Sequence, residues 1–233
     1  MIKITKKNKK SHLDYSWITS IYRFFGLNIA KIISIIPISP NQVTILSLIF
    51  GLIGSVYLCF GEFWYYLIGA LLHQISITLD YVDGSLARLR GQTSKFGGWL
   101  DGNIDKFLDG VFFTAVSWGA YLQYKEPLLF IMALIAIITR YMIIHSVDMV
   151  RYGLDVSNLS PKFKKGVLGE SMKKISIAKQ LIYGKNNIQL LFIVFIFIGR
   201  IDWYLYLVAV YGLLSYLASL YIIGKQVRKL DKK

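Results

Sequence analysis

The sequence predicts an all-α integral membrane protein in which six transmembrane helices follow an N-terminal amphipathic interfacial helix. Hydrophobic residues make up 55% of the 233 residues and the mean hydropathy is +0.51, which is too apolar for an ordinary soluble domain of this size. Several apolar stretches are long enough to cross a bilayer as helices. Lysines and arginines cluster in the segments between these stretches.

The net charge of +14 raises the question of nucleic acid as a partner. The basic residues lie between apolar segments, as expected for loops that face anionic lipid headgroups, so we expect membrane lipids and no nucleic acid. Cys59 is the single cysteine and lies within a predicted span, which excludes an intrachain disulfide and a thiolate metal site. No cleavable signal peptide is expected, because lysines precede a late first apolar stretch.

The chain begins with a basic tail, residues 1–12, which contains five lysines. The next segment, residues 13–39, is predicted to be the interfacial helix, because its apolar residues recur at helical spacing. Pro37 and Pro40 end this helix, and Asn41 then stands at an N-cap position. The repeated apolar residues are Trp17, Ile18, Ile21, Phe24, Phe25, Ile29, Ile32, Ile33 and Ile36.

Residues 40–224 are predicted to form the six-helix transmembrane domain, and residues 225–233 form a basic C-terminal tail. The loop at 148–187 is the largest basic loop of the chain. Basic and nearly neutral connections alternate, so the positive-inside rule places both termini on the cytoplasmic side. The spans are expected near residues 42–60, 63–79, 94–122, 127–147, 188–200 and 203–224.

Four aspartates lie at the end of the helix of the second span and near the start of the third span, where a carboxylate is costly unless it is paired or solvated. Asp80 and Asp83 are three residues apart and Asp101 and Asp105 are four apart, so each pair shares one helix face. If the pairs converge, they repel one another unless cations lie among them. Carboxylate oxygens suit Mg²⁺, Mn²⁺ or Ca²⁺, and a paired arrangement suits two ions that clamp a phosphate.

This stretch resembles the complete signature of the CDP-alcohol phosphotransferase family. The matching residues are separated by two, two, eight, three and three residues and span 26 positions. They are Asp80, Asp83-Gly84, Ala87-Arg88, Gly97, Asp101 and Asp105.

The resemblance implies a CMP-forming, metal-dependent phosphotransferase of phospholipid biosynthesis, with residues 40–224 as the catalytic domain. It would move a phospho-alcohol group from a CDP-linked donor, of the CDP-diacylglycerol or CDP-inositol type, to an acceptor alcohol such as an inositol phosphate or glycerol phosphate. The exact donor and acceptor stay open. The resemblance also implies a homodimer, for which Gly98 and Gly102 offer a small-residue pair.

The resemblance implies that Asp80, Asp83 and Asp101 bind two Mg²⁺ or Mn²⁺ ions that grip the donor pyrophosphate. Asp105 either completes this metal site or acts as the general base on the acceptor hydroxyl. The active site would then face the cytoplasm.

A set of mostly small or polar residues is expected to bind the CDP-linked donor. Arg88 could hold a phosphate through its forked guanidinium. Residues 40–44 resemble the family's Pro-Asn-x-x-Thr segment, in which Asn41 either caps the helix or contacts the nucleotide. The donor-binding set is Asp80, Gly84, Ala87, Arg88, Gly97, Asn41 and Thr44.

Cations on or after the fourth span are the candidates to bind a phosphorylated acceptor: Arg140, Arg151 and Lys162. Arg140 lies near the expected bilayer interior, so we predict that it faces a carboxylate or a water-filled cavity. Asp109 continues the face of Asp101 and Asp105 and receives no role. Arg90 and Lys95 are interpreted as positive-inside anchors.

Two other classes of function compete with the enzyme. A divalent-cation channel or transporter also needs carboxylates within spans, but it would distribute them through the membrane depth. A non-catalytic lipid-binding scaffold would not need all four aspartates. The grouping of the carboxylates at one edge therefore disfavours the channel or transporter, and the presence of all four aspartates disfavours the scaffold.

Overall fold

The computed structural model describes residues 17–149 and 184–228, and every regular element within them is an α-helix. The tails at 1–12 and 229–233 and most of the 148–187 loop lie outside the described residues. The helices are α1 (Trp17–Ile33), α2 (Pro40–Leu58), α3 (Phe63–Leu89), α4 (Lys95–Tyr124), α5 (Leu128–Asp148), α6 (Lys185–Ile198) and α7 (Ile201–Val227). The predicted all-α class is confirmed for this part of the chain.

Among the residues that the structure describes, three helices are long and apolar enough to cross a bilayer: Pro40–Leu58, Leu128–Ser146 and Ile201–Lys225. α3 and α4 have 27 and 30 residues but include the charged residues of the signature. α6 is strongly apolar but has only 14 residues. A multi-pass membrane protein is therefore supported, whereas the count of six spans stays a prediction.

The start of α2 differs from the prediction, because Ser39 and not Asn41 is its N-cap. The Ser39 hydroxyl accepts a hydrogen bond from the Gln42 amide at 3.3 Å, and the Gln42 side chain accepts one from the Ser39 amide at 2.7 Å. This reciprocal pair is a capping box. Pro40 fits just inside the helix start, where its missing N–H removes no helical bond.

The turns around the signature follow local signals in the sequence. Gly91 has a φ of +66° just after α3, and the Ser94 hydroxyl caps α4 by accepting from the Gly97 amide at 2.9 Å. Gly61 has a φ of +77° and lies directly against the carbonyl oxygen of Gly119. A side chain at position 61 would collide with this carbonyl, so glycine lets the α2–α3 turn touch α4.

The main apolar core contains residues of every helix from α2 to α7. It is rich in aromatic side chains, among them Tyr66, Phe112, Phe113, Phe192 and Tyr204. A second, smaller core forms where α1 meets α2 and α3, and consists of Ala30, Val43, Val82 and Leu86. Because Val82 and Leu86 lie within the signature, this small core places α1 beside the aspartate end of α3.

Arg90 fastens the chain after α1 to the end of α3, although the sequence suggested only a surface anchor. Its guanidinium donates to the carbonyl oxygens of four residues, at 2.5–3.2 Å. These are Ile33, Ser34, Ile36 and Ile38. The other face of α1 exposes large apolar side chains such as Phe24 and Ile32. The position of α1 at a membrane interface stays a prediction.

Candidate active site

The four aspartates lie on α3 and α4, and α2 packs against both of these helices. The short turn between α3 and α4 suggests that they are direct antiparallel neighbours, but this expectation is wrong, because the two helices have little direct contact and each packs against α2 instead. α3 carries Asp80 and Asp83, and α4 carries Asp101 and Asp105. The two helices therefore present their carboxylates to each other across the same end of α2.

Three of the four aspartates converge closely. One carboxylate oxygen from each of Asp80, Asp101 and Asp105 lies within 4.8 Å of the others. The Asp101 Oδ1 atom is buried and has no hydrogen-bond partner among the described residues. A buried carboxylate oxygen without a donor is costly, and oxygen ligands at this spacing suit a hard divalent ion. The arrangement thus fits the predicted Mg²⁺ or Mn²⁺.

Asp83 is buried beside this group and accepts a hydrogen bond from the Thr44 hydroxyl at 2.5 Å. Burial raises the pKa of Asp83 to about 7, and the Thr44 hydrogen bond only partly opposes this effect. Burial also raises the pKa of Asp80, and the charge of Asp105 adds to this increase. Cations are therefore needed if the cluster is to carry its full negative charge at neutral pH.

Divalent ions should bind this cluster more tightly as pH rises. With a pKa of about 7, Asp83 is protonated at lower pH, and a metal ion must displace this proton in order to bind. The affinity for the ion should therefore fall about tenfold for each pH unit below about 7. Electron paramagnetic resonance of free Mn²⁺, measured with the purified protein between pH 6 and pH 8, would check this.

The same pKa shift should destabilise the metal-free protein as pH rises from about 4 to 7, because ionised Asp83 is disfavoured in the fold. Mn²⁺ should remove this loss of stability. A Mn²⁺ affinity that stays constant across the range would contradict the prediction.

A cavity of about 250 Å³ opens beside Asp83 and Asp101, between the start of α2, the end of α3 and the start of α4. Six of the seven residues predicted to bind the donor line it: Asn41, Thr44, Gly84, Ala87, Arg88 and Gly97. The seventh, Asp80, lies in the converging carboxylate group. The structure thus brings the whole predicted donor set to one place.

Gly97 determines how much room this cavity has. A Cβ atom at this position would lie 3.1 Å from both the Asn41 Oδ1 atom and the Ser94 hydroxyl. Because Ser39 and not Asn41 caps α2, the Asn41 side chain is not used as a cap and lines the cavity. Small residues, hydroxyls, an amide and a guanidinium suit a polar and planar ligand.

Lys185 is the functional candidate that the sequence reasoning missed. It was counted only among the basic residues of the loop at 148–187, yet its ammonium forms an ion pair with the Asp105 carboxylate. The available signal was the i, i+4 relation of Lys185 and Gln189, two polar residues on one face of an apolar helix.

Arg140 forms an ion pair with Asp109, with 2.5 Å between Nε and Oδ2 and both side chains 10% exposed. The prediction that Arg140 faces a carboxylate is confirmed, and Asp109 gains a role as its partner. Acceptor binding by Arg140 stays a prediction. Arg151 and Lys162 lie outside the described residues.

Comparison with known proteins places these features in context. The model of the CDP-alcohol phosphatidyltransferase family matches residues 37–214. A bifunctional IPC transferase and DIPP synthase of Thermococcus kodakarensis is 32% identical over 114 residues, which are 49% of this chain and 25% of that protein. A phosphatidylinositol phosphate synthase of Corynebacterium glutamicum is 32% identical over 99 residues, 42% of this chain and 44% of that protein.

An archaetidylinositol phosphate synthase of Pyrococcus horikoshii is 31% identical over 103 residues, 43% of this chain and 52% of that protein. The aligned region thus covers between a quarter and about half of the length of these relatives.

Solved structures show the same fold. The Mycobacterium tuberculosis phosphatidylinositol phosphate synthase with CDP-DAG bound has a TM-score of 0.58 and 19% identity, and the match covers 85% of this chain and 92% of that one. The same enzyme with manganese and citrate has a TM-score of 0.56 and 20% identity, covering 85% and 88%. At these identities the likeness concerns the fold.

Proposed function

Since this chain belongs to the CDP-alcohol phosphatidyltransferase family, we propose that it transfers a phosphatidyl group from CDP-diacylglycerol to an inositol phosphate and releases CMP. The observation that carries the proposal is the cavity lined by the donor-binding set, which opens beside the aspartates. The Corynebacterium and Pyrococcus relatives are named for inositol-phosphate products. The family match leaves the channel or transporter alternative without support.

The residues divide into three tasks. Gly84, Ala87 and Gly97 leave room for the cytidine. Asp80, Asp83 and Asp101 would hold two divalent ions, and Asp105 lies beside them, where it can both contact an ion and accept a proton. These ions would neutralise charge on the donor pyrophosphate. The acceptor hydroxyl oxygen then bonds to the lipid-linked phosphorus, the bond from this phosphorus to the CMP oxygen breaks, and the hydroxyl proton passes to the Asp105 carboxylate.

A phosphorylated acceptor needs cations opposite the metals, and we assign this task to Arg140, Arg151 and Lys162. Arg140 would have to share its guanidinium between the acceptor and Asp109. Neutralising these residues one at a time should raise the KM for the acceptor. An unchanged KM in all three variants would move the acceptor site elsewhere.

The decisive assay measures CMP release by the purified full chain with Mg²⁺. CDP-diacylglycerol and CDP-inositol should each be tested with inositol phosphate, glycerol phosphate, inositol and serine. We expect CMP with CDP-diacylglycerol and inositol phosphate. CDP-inositol is included because the Thermococcus relative is named in part as a DIPP synthase. CMP release with glycerol phosphate alone would overturn the acceptor, and none with any pair would overturn the proposal.

We also place six spans in the membrane, with both termini and the active site on the cytoplasmic side. The alternation of basic and neutral connections supports this topology. Cysteines introduced at positions 93 and 170 should be labelled only from the side of the N-terminus. External labelling at either position would exclude the arrangement.

A homodimer is the proposed assembly. Gly98 and Gly102 were expected to admit a close backbone, but no described atom lies within 4 Å of a Cβ built at either. This open face is compatible with a second copy. Native mass spectrometry in several mild detergents should show the dimer mass, and a monomer throughout would exclude it.

A further inference from the structure

Lys185 occupies an unusual position for a residue that follows a long basic loop. It is the first residue of α6, and its side chain is only 14% exposed. Its ammonium donates a hydrogen bond to Asp105 Oδ1. This oxygen belongs to a carboxyl of the converging group of Asp80, Asp101 and Asp105. The lysine charge is therefore placed on the aspartate cluster and not at the lipid headgroups.

Neighbouring contacts hold the lysine in this position. The Asn186 amide donates to the Tyr81 hydroxyl at 3.0 Å, and Tyr81 follows Asp80 on α3. The Tyr81 ring also stacks on Tyr22 of α1, with 5.8 Å between the ring centroids. One turn further along α6, Ile188 is buried in the main core. The start of α6 is thus attached to the helix that carries Asp80, which limits how far Lys185 can withdraw.

A divalent ion and an ammonium compete for the same oxygen atoms here. Three carboxylates within 4.8 Å offer a strongly negative site, and Lys185 supplies one positive charge to it. A metal ion that used Asp105 as a ligand would come close to this ammonium and be repelled. The same ion could be accepted by Asp80 and Asp101 while the lysine stays in place.

We propose that Lys185 is a tethered counter-cation of the aspartate cluster, which competes with a divalent ion for Asp105. Metal occupancy at Asp105 then requires the ammonium to leave that carboxylate. The lysine sets the metal affinity of this part of the site and keeps Asp105 paired until the ion arrives. This inference rests on the proposed function, because it assumes that the aspartates bind divalent ions.

The test is Mn²⁺ binding to the purified full chain in detergent, followed by paramagnetic resonance of free Mn²⁺. Lys185→Met should bind Mn²⁺ about tenfold more tightly or better, since a charge within a few ångströms is removed. Lys185→Arg keeps the charge and should not tighten binding. Lys95→Met removes an exposed lysine at the start of α4 and is the matched control, with little expected change.

The outcomes separate the two levels of the argument. Equal or weaker Mn²⁺ binding by Lys185→Met, with normal binding by the unaltered chain, would overturn the role of Lys185 alone. Failure of the unaltered chain to bind Mn²⁺ would overturn the metal site and with it the proposed mechanism.

A second measurement uses the unaltered chain, so it can be made even if Lys185→Met does not fold. Reductive methylation followed by peptide mass spectrometry reports how accessible each lysine is. Lys185 should be protected without metal and become reactive with saturating Mg²⁺, while Lys95 reacts equally in both conditions. Identical labelling of Lys185 with and without Mg²⁺ would overturn the proposal.

Discussion

Replacing Asp105 by asparagine is expected to lower kcat on the order of 100-fold or more, because an amide cannot accept the proton of the acceptor hydroxyl. Asp80→Asn and Asp83→Asn should act differently and mainly weaken the binding of metal and donor. Asp80 belongs to the converging group, and Asp83 lies beside it in the donor cavity. Steady-state kinetics over a Mg²⁺ titration would distinguish the two kinds of defect.

The ion pair with Lys185 requires a control in this experiment. Asp105→Asn also leaves the Lys185 ammonium without the Asp105 carboxylate, which by itself costs stability. The double variant Asp105→Asn, Lys185→Met removes this unpaired charge. If the double variant recovers activity, the loss came from the lysine and not from the base. If Asp105→Asn keeps a near-normal kcat and only needs more Mg²⁺, Asp105 is a metal ligand and another group is the base.

Replacing Arg140 by methionine should destabilise the fold by about 3–5 kcal/mol, because it leaves the buried Asp109 carboxylate without its cation. Arg140 and Asp109 join α5 to α4, and the Tyr141 hydroxyl adds a bond to the Lys106 carbonyl oxygen at 2.5 Å. Thermal unfolding in detergent, followed by intrinsic fluorescence, would measure the loss. Activity is a separate readout, because Arg140 is also a candidate for acceptor binding.

Two comparisons make the stability prediction specific. The double variant Arg140→Met, Asp109→Leu removes both members of this buried pair, so it leaves neither of them unpaired and should recover most of the lost stability. Arg200→Met breaks an ion pair in which the arginine side chain is 43% exposed and the Asp202 side chain 9% exposed, so water reaches the pair from the arginine side and the loss of stability should be smaller than for Arg140→Met. Equal losses for Arg140→Met and Arg200→Met, or no recovery in the double variant, would contradict the prediction.

Properties that depend on local sequence could be predicted well. The apolar residues from position 63 and the helical spacing of the first two aspartates predict one helix that ends at Gly91, and α3 runs from Phe63 to Leu89 with a left-handed glycine at 91. Helical periodicity, glycine at positive φ and hydroxyl caps act within a few residues of one another. The spacing of the aspartates likewise determined which carboxylates share a helix face.

The N-cap of α2 could have been identified from the sequence alone. Asn41 is a suitable cap by residue type, but Ser39 and Gln42 have the spacing of a capping box, and this signal identifies Ser39. The consequence reaches the site, because Asn41 then lines the donor cavity. A reciprocal pair of hydrogen bonds satisfies two backbone or side-chain groups at once, which a single cap does not.

The tertiary structure alone decided which charges meet. Lys185 lies 80 residues from Asp105, and Asp109 lies 31 residues from Arg140. Periodicity states which face of a helix a side chain occupies, but it does not state which other helix lies opposite. The sequence by itself therefore determined the helical class, the family signature and the candidates for donor binding. The packing of α3, α4 and α6 around one end of the bundle decided that Lys185, at the end of the basic loop, forms an ion pair within the aspartate cluster.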